Sequence, residues 1–305
     1  MKMHRKEEES ESRVEVAAGL RCLLGENPLW HPAHCKLYWC DIALGRLYRY
    51  NPETHATELL CDGTEDRTQV GGFTIQQDGS LLLFLEGGRI DRWTESASET
   101  LIPAMPSHAG MRFNDVIADP VGRVFCGIVS IDGSGPGKLL RLDLDGSLTT
   151  VLDDVLCSNG MAFSRSSRHL FHTDSLRRTI TRFDYDVASG SIANPAHCIT
   201  THEADGLPDG LTIDAEDNLW SAQWGGGCVI CYSPDGREQR RVMLPVANVS
   251  SLTFGGDRLH TLYMTTGGSE DAAQHPLAGS LFTIDFSVPG VPEFPSRIVS
   301  LSRFA

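Results

Sequence analysis

Four residues spread along the 305-residue chain carry side-chain oxygens at one recurring position: Glu26, Asn114, Asn159 and Asp209. Each stands four residues ahead of an apolar anchor, and six such anchors recur: Trp30, Ile75, Ala118, Phe163, Ile213 and Phe254. In the two remaining segments the same position holds Gly71 and Ser250. Two carboxylates and two amides make an all-oxygen set, which suits a hard or borderline divalent cation such as Ca²⁺, Mg²⁺ or Mn²⁺. Like charges gathered at one place raise each other's pKa unless a cation stands between them. Taken singly, Asn159-Gly160 and Asp209-Gly210 also read as turn dipeptides, Asn114-Asp115 as an Asx turn and Glu26 as a solvated loop residue. Turn chemistry alone does not account for the shared phase.

The anchors fall 45, 43, 45, 50 and 41 residues apart. A period near 45, built from short apolar strands and Asp/Gly/Pro turns, is that of a four-stranded propeller blade. Between anchors lie runs that alternate apolar and polar residues at period two, such as Arg46–Tyr50, Lys138–Leu142 and Thr179–Phe183, and these read as half-buried strands. Helical periodicity is absent. The expected fold is therefore all-β, a six-bladed β-propeller with four-stranded blades, forming one domain over residues 14–305 behind a charged, disordered tail at 1–13. A ring must close or leave sheet edges unpaired. The run Gly279–Phe286 has no full blade after it, and Arg13–Ala17 precedes the first anchor, so the N-terminal strand is expected to complete the last blade. In such a ring the six register positions meet at one mouth of the central channel.

Composition narrows the partners. With 26 Lys+Arg against 40 Asp+Glu the net charge is −14, which argues against nucleic acid or an anionic membrane surface as a partner. The longest strongly apolar run, Leu81–Leu85, is too short to span a bilayer. The first dozen residues lack the apolar segment of a secretory signal, so a cytoplasmic protein is expected. Nine scattered cysteines then read as reduced thiols, and Cys228 and Cys231 as strand residues rather than a metal or redox pair. A monomer is expected.

Gly25-Glu-Asn-Pro-Leu-Trp30, Arg112-Phe-Asn-Asp115, Ser158-Asn-Gly160, Pro208-Asp-Gly210 and Phe254-Gly-Gly256 together resemble the signatures of the SMP-30/gluconolactonase family, in order and spacing, from about residue 20 to 290. Asp174-Ser175 and Leu219-Trp220 add to the match. The resemblance implies a six-bladed propeller with one divalent metal at the channel mouth, ligated by Glu26, Asn159 and Asp209. It also implies that Asn114 binds substrate beside the metal and that Arg112 holds substrate hydroxyl or carboxyl oxygens. The segment Gly127–Gly137 departs from the family pattern. Asp132 is the acid available there to replace an expected substrate contact, which leaves the substrate more open than the reaction.

The expected reaction is metal-dependent hydrolysis of a sugar lactone to its acid, with the metal as Lewis acid and water as nucleophile. Ca²⁺ heads the candidate ions, followed by Zn²⁺, Mn²⁺, Mg²⁺ and Fe²⁺. Asp209 is the candidate general base, with a metal-activated water as the alternative. Two other readings stay open: a non-catalytic propeller binding metal or metabolite, and a non-sugar lactonase or phosphotriesterase-like hydrolase on the same scaffold. Neither Gly-x-Ser-x-Gly nor His-Glu-x-x-His occurs, which disfavours serine hydrolase and zincin chemistry.

Overall fold

The computed structural model describes residues 13–63, 68–271 and 273–299. It is an all-β ring of six four-stranded antiparallel sheets. The expected tail lies outside the described residues, apart from Arg13, which is exposed. Among the described residues the helical structure amounts to two three-residue turns, Pro106–His108 and Glu203–Asp205.

Blades 1 to 5 follow one plan, in which four consecutive strands run outward from the channel. The six inner strands are Gly25–His31, Val70–Ile75, Met111–Ala118, Ser158–Phe163, Leu207–Ile213 and Val249–Gly255. They touch one another in ring order, the last against the first. Blade 6 closes as expected: Glu15–Ala18 pairs antiparallel with Leu281–Asp285 and supplies its outermost strand.

Composition along each blade follows depth. Second strands lie between neighbouring blades on both faces, so their apolar residues run without alternation, as in the wholly buried Leu81–Leu85. Outermost strands such as Glu238–Met243 are mostly exposed and charged. Apolar clusters fill the wedges between blades; Phe84, Phe113 and Phe125 are fully buried there. Cys228 and Cys231 point into two different wedges, and all nine cysteines are free.

One irregularity repeats in every blade. Each inner strand loses register with its neighbour at or directly after the position singled out in the sequence: between Glu26 and Leu29, Val70 and Gly72, Phe113 and Val116, Ser158 and Met161, Pro208 and Leu211, Val249 and Ser251. A bulge of this kind re-aims side chains and is common beside active sites. Asn159-Gly160 and Asp209-Gly210 are thus bulged strand residues, and the turn alternative does not hold. Gly160 is required by close packing: a Cβ there would lie 2.3 Å from the Leu211 nitrogen and 2.5 Å from the Asp209 carbonyl. Gly71 interrupts the polar series for the same reason, since its Cβ would meet the Phe113 carbonyl oxygen at 1.9 Å.

Candidate active site

Two aspartates at the ends of second strands aim the inner strands that carry the polar residues. Asp41 accepts from the backbone N–H of Leu23 (2.8 Å) and Leu24 (3.1 Å), fixing the entry to the strand that holds Glu26. Asp174 accepts from Leu156 (2.9 Å) and Cys157 (3.1 Å), fixing the entry to the strand that holds Asn159. Both capture backbone donors that would otherwise be left unpaired in a partly buried loop.

Glu26, Asn114, Asn159 and Asp209 are all buried. The Asn27 N–H donates to Glu26 Oε2 at 3.1 Å, from a bulge residue in the left-handed region (φ 48°). Asp209 Oδ1 is buried and has no hydrogen-bond partner among the described residues. Asn159 donates from its amide nitrogen to Ser175 Oγ at 3.1 Å, and its carbonyl oxygen is not engaged by that bond. Ser250 binds the Gly25 carbonyl across the blade 6–blade 1 junction, so the sixth register position is spent on closing the ring.

The acids interact. Burial raises Glu26 above the usual carboxylate range, and the charge of Asp115 raises it further. Burial, then Glu26 and Asp115, lift Asp209 well above its ordinary value, against the opposing pull of the Asn159 amide and Arg112. Asp115, partly buried, is pushed up to about 7, mainly by desolvation. Burial thus raises all three carboxyls, and the charge of Asp115 adds to the shift of the other two. Strand alternation alone gives Asp115 no place beside Asn114 at the channel mouth. In a regular strand it would face away from Asn114; the bulge brings both inward.

Arg112 is the cation of the group. Its Nη1 donates to the Phe113 carbonyl (3.0 Å) and to Asn114 Oδ1 (2.6 Å). Asn114 Nδ2 donates in turn to the Ser158 carbonyl at 2.8 Å. Asn114 therefore links blades 3 and 4 and holds the guanidinium in place. Cys157 lies near Arg112 and Asp209; burial pushes its thiol up to about 11, so it is no nucleophile at neutral pH. His172 sits behind Ser158, 2.9 Å from its Oγ, and burial lowers it to about 4, which keeps it neutral.

Asp132 is placed differently. It lies in the turn after Val124–Ser130, at the same end of blade 3 as Met111 and Arg112, because Ser130 pairs with Met111. It is exposed and bound to its own loop through Ser130 Oγ (2.6 Å) and the Ser134 N–H (2.9 Å). These bonds lower it to about 2. It is not among the charges acting on Glu26 or Asp209.

Among the described residues, no three His, Cys, Asp or Glu side chains stand close enough to hold an ion by themselves.

Comparison with known proteins places the chain. Residues 24–268 match the model of the SMP-30/Gluconolactonase/LRE-like region. The chain is 42% identical over 285 residues to pentonolactonase XacC of Haloferax volcanii, covering 91% of this chain and 96% of that one. It is 33% identical to a 6-deoxy-6-sulfogluconolactonase of Pseudomonas putida, covering 89% and 94%. Such lactonases are hydrolases of cyclic esters. The fold superposes on that of a regucalcin from Agrobacterium tumefaciens with a TM-score of 0.85 at 21% identity, covering 95% of this chain and 98% of that one. The chain belongs to the SMP-30/gluconolactonase/LRE-like family.

Proposed function

We propose that this protein hydrolyses a sugar lactone to the corresponding sugar acid, with one divalent cation held by Glu26, Asn159 and Asp209. The observation that carries this reading is the buried, unpartnered Asp209 Oδ1 facing other acids across the ring of bulges. A buried carboxyl oxygen without a partner is destabilising unless something absent from the chain completes it. Charge counting agrees: Glu26, Asp115 and Asp209, when ionised, carry three negative charges against one on Arg112. The remainder equals the charge of one divalent ion. All-oxygen donors favour Ca²⁺.

When bound, such an ion supplies Lewis-acid polarisation of the lactone carbonyl and stabilises the developing oxyanion. Arg112, directed by Asn114, binds hydroxyl or carboxyl oxygens of the substrate and fixes its orientation. Water attacks the carbonyl carbon and the ring C–O bond breaks. Asp209 takes the proton of the water and returns it to the departing ring oxygen, which leaves as an alcohol. Asp132 acts from the rim, outside the buried group, and contributes to binding rather than to the chemical step.

The test is lactone turnover by metal-stripped protein, with Ca²⁺, Mg²⁺, Mn²⁺, Zn²⁺ and Fe²⁺ restored one at a time, against aldonolactones, aliphatic lactones and an organophosphate. Turnover confined to aldonolactones and dependent on added metal is expected. Metal binding without turnover would favour the non-catalytic reading, and faster organophosphate or aliphatic-lactone hydrolysis would favour the other hydrolases.

A further inference from the structure

The opposite mouth of the channel carries a built cavity that the hydrolytic reading does not use. Residues 289–299 cross this face as a strap, with backbone bonds from Val291 N–H to the Ile213 carbonyl, Ser296 N–H to the Ile75 carbonyl and Arg297 N–H to the Gly122 carbonyl. Side chains fasten it: Ser296 Oγ meets Thr74 Oγ1 at 2.7 Å, and Gln76 bonds both the N–H and the carbonyl of Ile298. Between the strap and the inner strands of blades 1 to 3 lies a cavity of about 420 Å³. That volume falls within the range of roughly 300–1,000 Å³ usual for small-molecule sites.

Its walls are mainly apolar, from Leu29, Trp30, Ile75, Ile117, Phe294 and Pro295. Its ionisable groups are paired or neutral, save one. Asp78 is paired with Arg92, and Gln76 is committed to the strap. His31 and His34 stack on each other at 3.7 Å, with burial holding both below their ordinary pKa, so they are neutral. Glu293 is the exception. It lines the cavity and has no hydrogen bond or ion pair with a described residue; burial, then the charge of Asp115, pushes it up to about 7, a shift that a cation bound beside it would oppose. The chain as a whole is strongly acidic, which concentrates cations around it.

We propose that this cavity binds a small organic cation, with a flat apolar body between the inner strands and Phe294 and its ammonium group on Glu293. Apolar walls supply the burial, the carboxylate supplies orientation and charge, and the fastened strap makes the site largely pre-formed. The site lies at the other end of the channel from Asp209 and stands or falls independently of lactone hydrolysis.

The experiment is calorimetric titration of the full chain with tryptamine, its neutral isostere tryptophol and the anion indole-3-propionate. Tryptamine should bind more tightly than tryptophol by about tenfold or more, as expected for a charge-assisted bond, and the anion most weakly. Glu293→Gln should remove the preference for tryptamine and leave tryptophol unchanged. Phe294→Ala should weaken both. Equal affinity for tryptamine and tryptophol, an unaltered preference in Glu293→Gln, or no binding by the wild type would overturn the proposal. So would tryptamine binding that is abolished by Asp209→Ala and indifferent to Glu293→Gln, because it would place the amine at the other mouth.

Discussion

Replacing Asp115 by Asn should stabilise the metal-stripped protein, and increasingly so as pH rises. Asp115 titrates at 3.8 when unperturbed but near 7 in the fold, chiefly because its charged form is desolvated. The folded state thus keeps a proton that the unfolded chain has lost, so the contribution of this group is fully present below 3.8 and disappears as pH climbs through about 7. Each pH unit inside that window costs the wild type about 1.4 kcal/mol. Between pH 5 and pH 7 the advantage of Asp115→Asn should grow by roughly 2 kcal/mol, allowing for half-ionisation at the upper end. For a chain of this length that is about 3 °C in melting temperature. Asn keeps an oxygen to accept the Val116 N–H, the hydrogen bond that Asp115 makes at 2.9 Å, so the substitution removes charge without leaving that donor unpaired. The growth should continue above pH 7, because the ionised Asp115 also raises Glu26 and Asp209. His172 does not confound the comparison: its folded pKa is lowered, so its destabilising effect is confined to pH below about 6.5 and is common to both proteins. Saturating Ca²⁺ should reverse the order, since the wild type then gains more from the ion than the variant. Calorimetric melts of both proteins at pH 5, 6, 7 and 8, with and without Ca²⁺, decide the matter. A difference that stays flat or shrinks with pH in stripped protein would refute the reasoning.

Three further outcomes follow from the packing. Gly160→Ala forces a Cβ against the backbone of the neighbouring inner strand and should cost on the order of 3 kcal/mol, read as a lower denaturant midpoint with an unchanged m-value. Deleting residues 1–18 removes the outermost strand of blade 6 and exposes the Leu281–Asp285 edge; a lower melting temperature and concentration-dependent aggregation are expected, and an unchanged melt would count against ring closure by this strand. Asn114→Ala frees the Arg112 guanidinium and should reduce kcat/KM by about tenfold or more through orientation, with the metal affinity nearly unchanged, as measured by steady-state kinetics and metal titration.

The fold was legible because a propeller repeats. A period near 45 and a shared phase need only a rough sense of which residues are apolar, and closure by the N-terminal strand follows from the need to cover an edge. Glu26, Asn159 and Asp209 were legible for the same reason, as oxygens at equivalent places in successive blades. Asp115 was not, because alternation assigns neighbours on a strand to opposite faces, and the bulge that breaks the alternation arises from pairing with the next strand. The glycine at position 71 looked like a gap in the polar series; only the approach of the Phe113 carbonyl explains it. Glu293 was out of reach because it lies on a proline-rich strap after the last blade, outside the repeat phase, and its neighbours are set entirely by tertiary structure. The exposed placement of Asp132 is fixed by hydrogen bonds within its own turn, which spacing does not encode.

The central claim is that Glu26, Asn159 and Asp209 hold one divalent cation at the channel mouth. Anomalous diffraction from crystals soaked in Mn²⁺, which an all-oxygen site also accepts, locates such an ion directly. The account predicts one strong peak within about 2.0–2.6 Å of an oxygen from each of the three side chains. A silent channel mouth with peaks confined to exposed surface acids would contradict it.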